Sequence, residues 1–168
     1  MLGCMAKDEE TTVPGDERAQ DLTFMRMALE EAAKGPAVGE VPIAAVIVQG
    51  SQVLAQTHNY RESWQDPTAH AEVIAIRAAA TALSTWRLTD TTLYVTVEPC
   101  AMCLGAILLA RVPRVVFGTR DPKAGACGSV LDFTNELRLN HQVEMLGGLL
   151  EQESQALIQQ FFRQLRAG

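Results

Sequence analysis

Hydrophobic and polar positions follow two kinds of pattern along the chain, and these predict its helices and strands. Apolar residues at helical spacing start near residue 22, and Lys-Gly-Pro at 34–36 is predicted to end this helix. Short apolar runs at 43–48 and 52–57 flank a Gln-Gly-Ser turn, which predicts a β-hairpin. Before this pattern the chain is polar and aperiodic, so we expect a flexible acidic tail at 1–18 and one folded domain at 19–168.

Strands and helices alternate after the hairpin. Helical patterns at 69–82 and 100–110 enclose a predicted strand at 92–97, and another strand is predicted at 114–118. Such alternation predicts a mixed sheet with helices on both faces, a three-layer α/β/α sandwich. A final helix is predicted from apolar positions at helical spacing. Its inward-facing residues are predicted to be Leu157, Ile158, Phe161, Phe162 and Leu165.

Composition and charge narrow the class of protein. The 168 residues are 48% hydrophobic and 20% charged, which fits one domain with its own core. The longest apolar run, 101–110, is about half of the roughly 20 residues that cross a bilayer, so no membrane partner is expected. The net charge is −6, but much of it lies in the predicted tail, so a local basic surface for a nucleic acid is not excluded.

Two short motifs suggest a metal site. Cys100 and Cys103 form a Pro-Cys-x-x-Cys motif just past the strand at 92–97, and His70 and Glu72 form a His-x-Glu motif at another helix start. Ligands at the carboxyl ends of strands meet in one crevice, so the two helix starts are predicted to converge. No apolar secretory segment is present, which predicts a cytoplasmic protein with reduced thiols.

One imidazole and two thiolates suit a catalytic zinc ion. Three protein ligands, His70, Cys100 and Cys103, leave the fourth tetrahedral position for water. Glu72 is two residues from His70, and we expect it to shuttle protons at that water without being a ligand. The two motifs together are typical of zinc-dependent nucleobase deaminases.

Longer segments extend these motifs and resemble one family. They are E-V-P at 40–42, Asn59, D-P-T-A-H-A-E at 66–72, T-V-E-P-C-A-M-C at 96–103 and R-V-V-F-G-T-R-D-P-K-A-G at 114–125. In this order, across about 20–166, the chain resembles the bacterial tRNA-specific adenosine deaminases. The resemblance implies a cytidine-deaminase-like sandwich with a mixed five-stranded sheet.

The resemblance also implies an activity. It is the hydrolytic conversion of adenosine to inosine at the wobble position of a tRNA anticodon, by a homodimer with one zinc ion per subunit. The residues that the resemblance assigns are His70, Cys100 and Cys103 for zinc, Glu72 for proton transfer, and Asn59, Val41 and the Ala71 backbone for the adenine.

RNA contacts are predicted around the pocket. Four basic side chains near Asp121 give a local excess of positive charge for phosphates. They are Arg111, Arg114, Arg120 and Lys123. By resemblance, Asp121 contacts a flanking ribose. Phe162 and Arg163 in the last helix offer a stacking and a phosphate contact.

Other interpretations stay open at this level. A structural zinc site needs a fourth protein ligand, and the candidates are Cys4, His58, Cys127 and His141. A thioredoxin-like Cys-x-x-Cys site leaves His70 and Glu72 unexplained. A deaminase of free guanine, cytosine or nucleosides shares the zinc chemistry, and an inactive RNA-binding scaffold does not need Glu72. Trp64 covers the entrance of the site or anchors local packing.

Overall fold

The apolar run after Pro42 forms the buried centre of a sheet. In the computed structural model, which describes residues 14–168, β1 (Ala44–Gln49) pairs antiparallel with β2 (Gln52–His58), and the predicted hairpin is confirmed. Gly50 in the turn has φ of 59°, a left-handed conformation that glycine adopts easily. On its other side β1 pairs antiparallel with β3 (Thr92–Val97).

Two more strands extend the sheet in the parallel direction. β4 (Arg114–Thr119) pairs with β3, and β5 (Glu144–Gly147) pairs with β4. The order β2-β1-β3-β4-β5 confirms a mixed five-stranded sheet. β5 has no counterpart among the strands located by pattern, because its residues are mostly exposed at the sheet edge and show no apolar alternation.

Helices cover both faces of this sheet. α1 (Pro14–Ala32) and α5 (Glu151–Ala167) pack on one face, whereas α3 (Ala71–Leu83) and α4 (Ala101–Leu109) pack on the other. A single-turn helix, α2 (Arg61–Trp64), joins β2 to α3. The predicted three-layer α/β/α sandwich is therefore confirmed.

The two faces of the sheet carry separate cores. Ile47, Val95 and Leu104 belong to the larger core, beneath α3 and α4. Met25 and Val46 belong to the smaller core, beneath α1. Neighbouring strand residues point to opposite faces, so the continuous apolar runs of β1 and β3 supply both cores at once.

A buried ion pair joins α1 to the sheet. Arg114 donates hydrogen bonds of 2.7 and 2.8 Å to the two carboxylate oxygens of Asp21, and the Tyr94 hydroxyl donates to the same carboxylate at 2.7 Å. Burial pushes the pKa of Asp21 upward, but the hydrogen bonds from Arg114 and Tyr94 outweigh burial and hold it below its ordinary value. Arg114 is thus committed to Asp21, and its predicted contribution to a phosphate-binding surface was wrong.

The terminal helices depart from the predicted pattern. α1 begins at Pro14 rather than near residue 22, so residues 14–18, assigned to the tail, are helical. Proline fits a first helical turn, and the acidic residues that follow it favour a helix N-terminus. In α5, Phe162 and Leu165 are exposed rather than inward-facing. The tail at 1–13 lies outside the described residues, and the domain boundary stays a prediction.

Within residues 14–168, none of the helices has the length and apolar content that crossing a membrane requires.

Candidate active site

Two helices begin at the same edge of the sheet and bring the predicted metal ligands together. His70 is the residue before α3, and Cys100 is the residue before α4, just past the end of β3. The Sγ atoms of Cys100 and Cys103 lie 3.7 and 3.5 Å from His70 Nδ1. The predicted convergence of the two helix starts is therefore confirmed.

These three donor atoms fit a metal ion. All of them lie within 4.8 Å of one another. Zinc bonds of about 2.05 Å to nitrogen and about 2.3 Å to sulfur, meeting at a tetrahedral angle, separate nitrogen from sulfur by about 3.6 Å. The observed distances to His70 Nδ1 agree with that separation, so the His70, Cys100 and Cys103 group can bind a metal.

No fourth protein ligand joins this group in the described part of the chain. The ring nitrogens of His58 and His141 instead form hydrogen bonds with the backbone carbonyls of Asn59, at 2.7 Å, and Val112, at 2.8 Å. Cys127 is buried as a free thiol outside the donor group. The fourth candidate, Cys4, lies outside the described residues. The geometry favours an open site over a closed structural one.

The local contacts prepare one thiol for metal binding. A hydrogen bond from the Cys103 thiol, with a further one from His70, lowers the pKa of Cys100 to about 4. The same contact raises the pKa of Cys103, since that thiol donates to Cys100 and is buried. The hydrogen bond to Cys100 also raises the pKa of His70. Cys100 is therefore a thiolate at neutral pH, the form in which cysteine binds a metal.

Glu72 is held in the first turn of α3, beside the metal donors. Its side chain is 4% exposed and lines the same cavity as His70 and Cys100. Burial raises the pKa of the Glu72 carboxyl above its ordinary value. A raised pKa makes the carboxylate a stronger base, which suits a group that accepts a proton and then returns it.

A cavity of about 190 Å³ opens beside these groups, and Val41, Asn59 and Asp121 line it. The Asn59 side chain is anchored, because its Oδ1 accepts a hydrogen bond of 2.8 Å from the Ala71 amide. This leaves the Asn59 Nδ2 group to donate to an acceptor in the cavity. The Ala71 amide thus orients Asn59, and the contact of the Ala71 backbone with the adenine stays a prediction.

The other predicted RNA contacts lie outside the cavity. Arg120 and Lys123 are exposed on the loop after β4, and the Arg120 guanidinium lies 5.7 Å from the ring centre of Phe117. Phe162 and Arg163 are exposed on α5. The structure does not bring these four side chains to the cavity, and their contacts with RNA stay predictions.

The cavity has further lining residues that the sequence did not assign, and they are Ile43, Arg61, Val97, Glu98 and Ala124. Glu98 is the most informative of them, because it is a buried carboxylate at the end of β3. It accepts hydrogen bonds from the backbone amides of Asp121, Cys127 and Ser129 at 3.0, 3.0 and 3.1 Å, and one from the Ser129 hydroxyl. In the sequence, its position two residues before Cys100 is the feature that could have identified it as a residue of the site.

Glu98 fixes the loop that follows β4 against the metal-binding segment. Burial pushes its pKa upward, but the hydrogen bonds from Ser129, Asp121 and Cys127 outweigh burial and hold it below the ordinary value. The loop passes so close that a Cβ atom at Gly125 would lie 2.4 Å from the Glu98 carboxyl group. A charged acceptor and a glycine together place Asp121 at the cavity wall.

Sequence comparison agrees with this geometry. The model of the MafB19-like deaminase family matches residues 19–166. The tRNA-specific adenosine deaminase of Bacillus subtilis strain 168 is 49% identical over 147 residues, which cover 88% of this chain and 91% of that protein.

Comparison of structures gives the same result. A solved structure from biochemical and structural studies of A-to-I editing by tRNA:A34 deaminases has a TM-score of 0.77 at 42% identity, covering 80% of this chain and 98% of the other. The guanine deaminase of Nitrosomonas europaea has a TM-score of 0.75 at 20% identity, covering 95% of this chain and 98% of the other, and so shares the fold alone. By sequence, fold and the donor group at its cavity, the chain belongs to the tRNA-specific adenosine deaminases.

Proposed function

We propose that this chain hydrolyses the C6 amine of the adenosine at the wobble position (34) of a tRNA anticodon. The products are inosine and ammonia. The observation that carries the proposal is the buried Glu72 carboxyl beside the His70, Cys100 and Cys103 donors, on a cavity at the sheet edge. Relatives named for adenosine deamination in tRNA support the choice of substrate.

One zinc ion per chain fits the donor set. His70 Nδ1 and the Sγ atoms of Cys100 and Cys103 would hold it, as their mutual distances allow. Zinc, when bound, supplies Lewis acidity that makes a water molecule a stronger nucleophile at neutral pH. Because the two thiolates offset much of the charge of the ion, the chain also needs a base next to that water.

Glu72 is that base and moves both protons. It takes a proton from the attacking water and gives it to N1 of adenine, while a C6–O bond forms. It then takes the second proton from the C6 hydroxyl and gives it to the amine, so that the C6–N6 bond breaks and ammonia leaves.

Asn59 and Val41 orient the base in the cavity. The anchored Asn59 amide presents its Nδ2 group to a purine ring nitrogen, and Val41 supplies apolar contact. At about 190 Å³ the cavity is smaller than the roughly 300–1,000 Å³ of common small-molecule pockets. It suits one base turned out of the anticodon loop, so the flanking nucleotides lie at its rim.

We also propose that two chains form a homodimer in the cytoplasm. Large apolar side chains are exposed on α4 and in the segment at 130–139, and burying them against a second copy would stabilise the pair. They include Leu109, Val130, Leu131, Leu137 and Leu139. A tRNA substrate supports the cytoplasmic compartment. Light scattering tests the dimer, for which we expect twice the 18.3 kDa of one chain.

Ammonia release tests the proposed activity. Zinc-loaded protein is incubated with an anticodon stem-loop that carries a wobble adenosine and, separately, with the same stem-loop carrying a wobble guanosine. Free adenosine, guanine and cytidine complete the set. We expect ammonia from the first RNA only, and none from it with Glu72→Gln. Release from free guanine without release from the RNA would overturn the proposal.

A further inference from the structure

Three aromatic rings stack in a line beside the cavity. His58, at the end of β2, stacks on Tyr60 with ring centres 4.4 Å apart and planes inclined by 22°. Tyr60 in turn stacks on Trp64, at 4.6 Å and 16°. His58 is buried, Tyr60 is half-buried and Trp64 is 55% exposed. The line of rings therefore ends in an indole with one face on Tyr60 and much of its surface open.

The stack and the cavity share one short segment of chain. Asn59 and Arg61 line the cavity, whereas Tyr60 between them belongs to the stack. Trp64 closes the single turn of α2 that begins at Arg61. Three residues of helix advance about 4.5 Å along its axis. The indole is thus close enough to the rim for one RNA strand to reach both places with neighbouring nucleotides.

A buried carboxylate holds the segment that bears the stack. Glu40 accepts hydrogen bonds from the backbone amides of Glu62, at 3.3 Å, and Ser63, at 2.6 Å, and from the Ser63 hydroxyl, at 2.8 Å. The next residue, Val41, lines the cavity. Glu40 therefore ties α2 to the cavity wall, and the position of Trp64 is set before a substrate arrives.

We propose that Trp64 is a stacking platform for the nucleobase next to the deaminated adenosine. The inference rests on the proposed function, since only an RNA substrate has a neighbouring base. Turning the adenosine out of the loop leaves that neighbour without a stacking partner, and the exposed indole replaces it. Arg61, exposed beside the cavity, adds positive charge for the phosphate between the two nucleotides. Trp64 thereby favours RNA over a free base.

Steady-state kinetics of Trp64→Ala test this role, with Trp86→Ala as the matched control. Trp86 is 51% exposed, and it packs under the Arg87 guanidinium beyond the end of α3, away from the cavity. For the stem-loop with a wobble adenosine, we expect Trp64→Ala to raise KM about tenfold, in line with the loss of one base-stacking contact. The kcat should change less than about twofold. Trp64→Phe should restore most of the affinity, and Trp86→Ala should change neither constant.

Fluorescence gives a second readout that needs no turnover. The chain has two tryptophans, so Trp86→Phe leaves Trp64 as the single indole. Binding of the stem-loop should quench its emission, and an abasic site next to the wobble adenosine should abolish the quenching. The proposed role of Trp64 would be overturned by an unchanged KM in Trp64→Ala, or by equal quenching with the intact and the abasic stem-loop. A wild-type chain that leaves the stem-loop adenosine intact would overturn the proposed function instead.

Discussion

The floor and the rim of the cavity are built in different ways. On the floor, His70, Glu72 and Cys100 lie in or just before the first turns of helices packed against a buried sheet. On the rim, Trp64 is exposed at the end of α2, and Asp121 lies on the loop after β4. The core positions the floor, whereas the rim is positioned by a few hydrogen bonds that its backbone amides donate to the buried carboxylates of Glu40 and Glu98. Changes on the floor should therefore abolish chemistry, and changes at the rim should alter the affinity for RNA.

The largest effect is expected on the floor, from Glu72→Gln. The amide cannot accept and return a proton, so kcat on the stem-loop should fall by about a thousandfold, within the range of lost general acid–base catalysis. Zinc content should stay near that of the wild type, because Glu72 is outside the donor group. Single-turnover kinetics with parallel metal analysis measures both. A variant with near-normal turnover would refute the proton shuttle.

Cys100→Ala should remove the metal and, with it, the activity. One of three donors is lost, and the remaining His70 and Cys103 cannot keep zinc through dialysis against a mild chelator. The matched control is Cys127→Ala, which replaces a buried cysteine outside the donor group and should retain the metal. The zinc content of the two variants is compared by mass spectrometry. Equal retention by both variants would contradict the assigned ligands.

A change far from both regions should affect stability and leave the kinetics alone. Asp21→Asn breaks the buried pair with Arg114 and should lower the free energy of unfolding by about 3 kcal/mol at pH 7. The kcat and KM of the folded fraction should stay unchanged. Urea unfolding, with the exposed Asp90→Asn as the control, measures the loss.

The pH dependence of that stabilisation has a definite sign. The pKa of Asp21 in the folded protein is below its ordinary value of 3.8. Its contribution is therefore complete above pH 3.8, and it is lost as the pH falls from there towards the folded-state pKa. The stability difference between wild type and Asp21→Asn should shrink in this acid range. A difference that grows on acidification would contradict the ion pair.

A smaller effect is expected at the rim, from Glu98→Gln. The amide offers one acceptor oxygen where the carboxylate offered two to the loop of Asp121 and Ser129. We expect KM for the stem-loop to rise about tenfold, as for the loss of a charged hydrogen bond, with a smaller change in kcat. Ser129→Ala removes one of the hydrogen bonds and should shift KM in the same direction by less. A fall in kcat with an unchanged KM would show that Glu98 supports the chemical step, as the floor residues do, and not the binding of RNA.

The sequence was most informative where the structure depends on local pattern. The hairpin, the two helix starts and the proximity of His70, Cys100 and Cys103 follow from short motifs and apolar runs, and the structure confirms them. Metal ligands at helix starts carry a strong local signal, because residue type and spacing are both constrained.

What the sequence missed depends on contacts between distant residues. Asp21 and Arg114 are 93 positions apart, and nothing near either one indicates the other. Glu98 and Glu40 read as ordinary acidic residues until the folded chain places amides around them. β5 is an exposed edge strand whose place follows from pairing with β4 rather than from an apolar pattern.

Mapping of inosine along the RNA shows which adenosine this chain deaminates. Zinc-loaded protein acts on an anticodon stem-loop that carries adenosines at the wobble position and at its neighbours, and sequencing then locates each converted base. We predict inosine at the wobble position alone, formed by the wild type and absent with Glu72→Gln. A stem-loop without inosine, from protein that holds one zinc ion per chain and releases ammonia from a free base, would contradict this prediction.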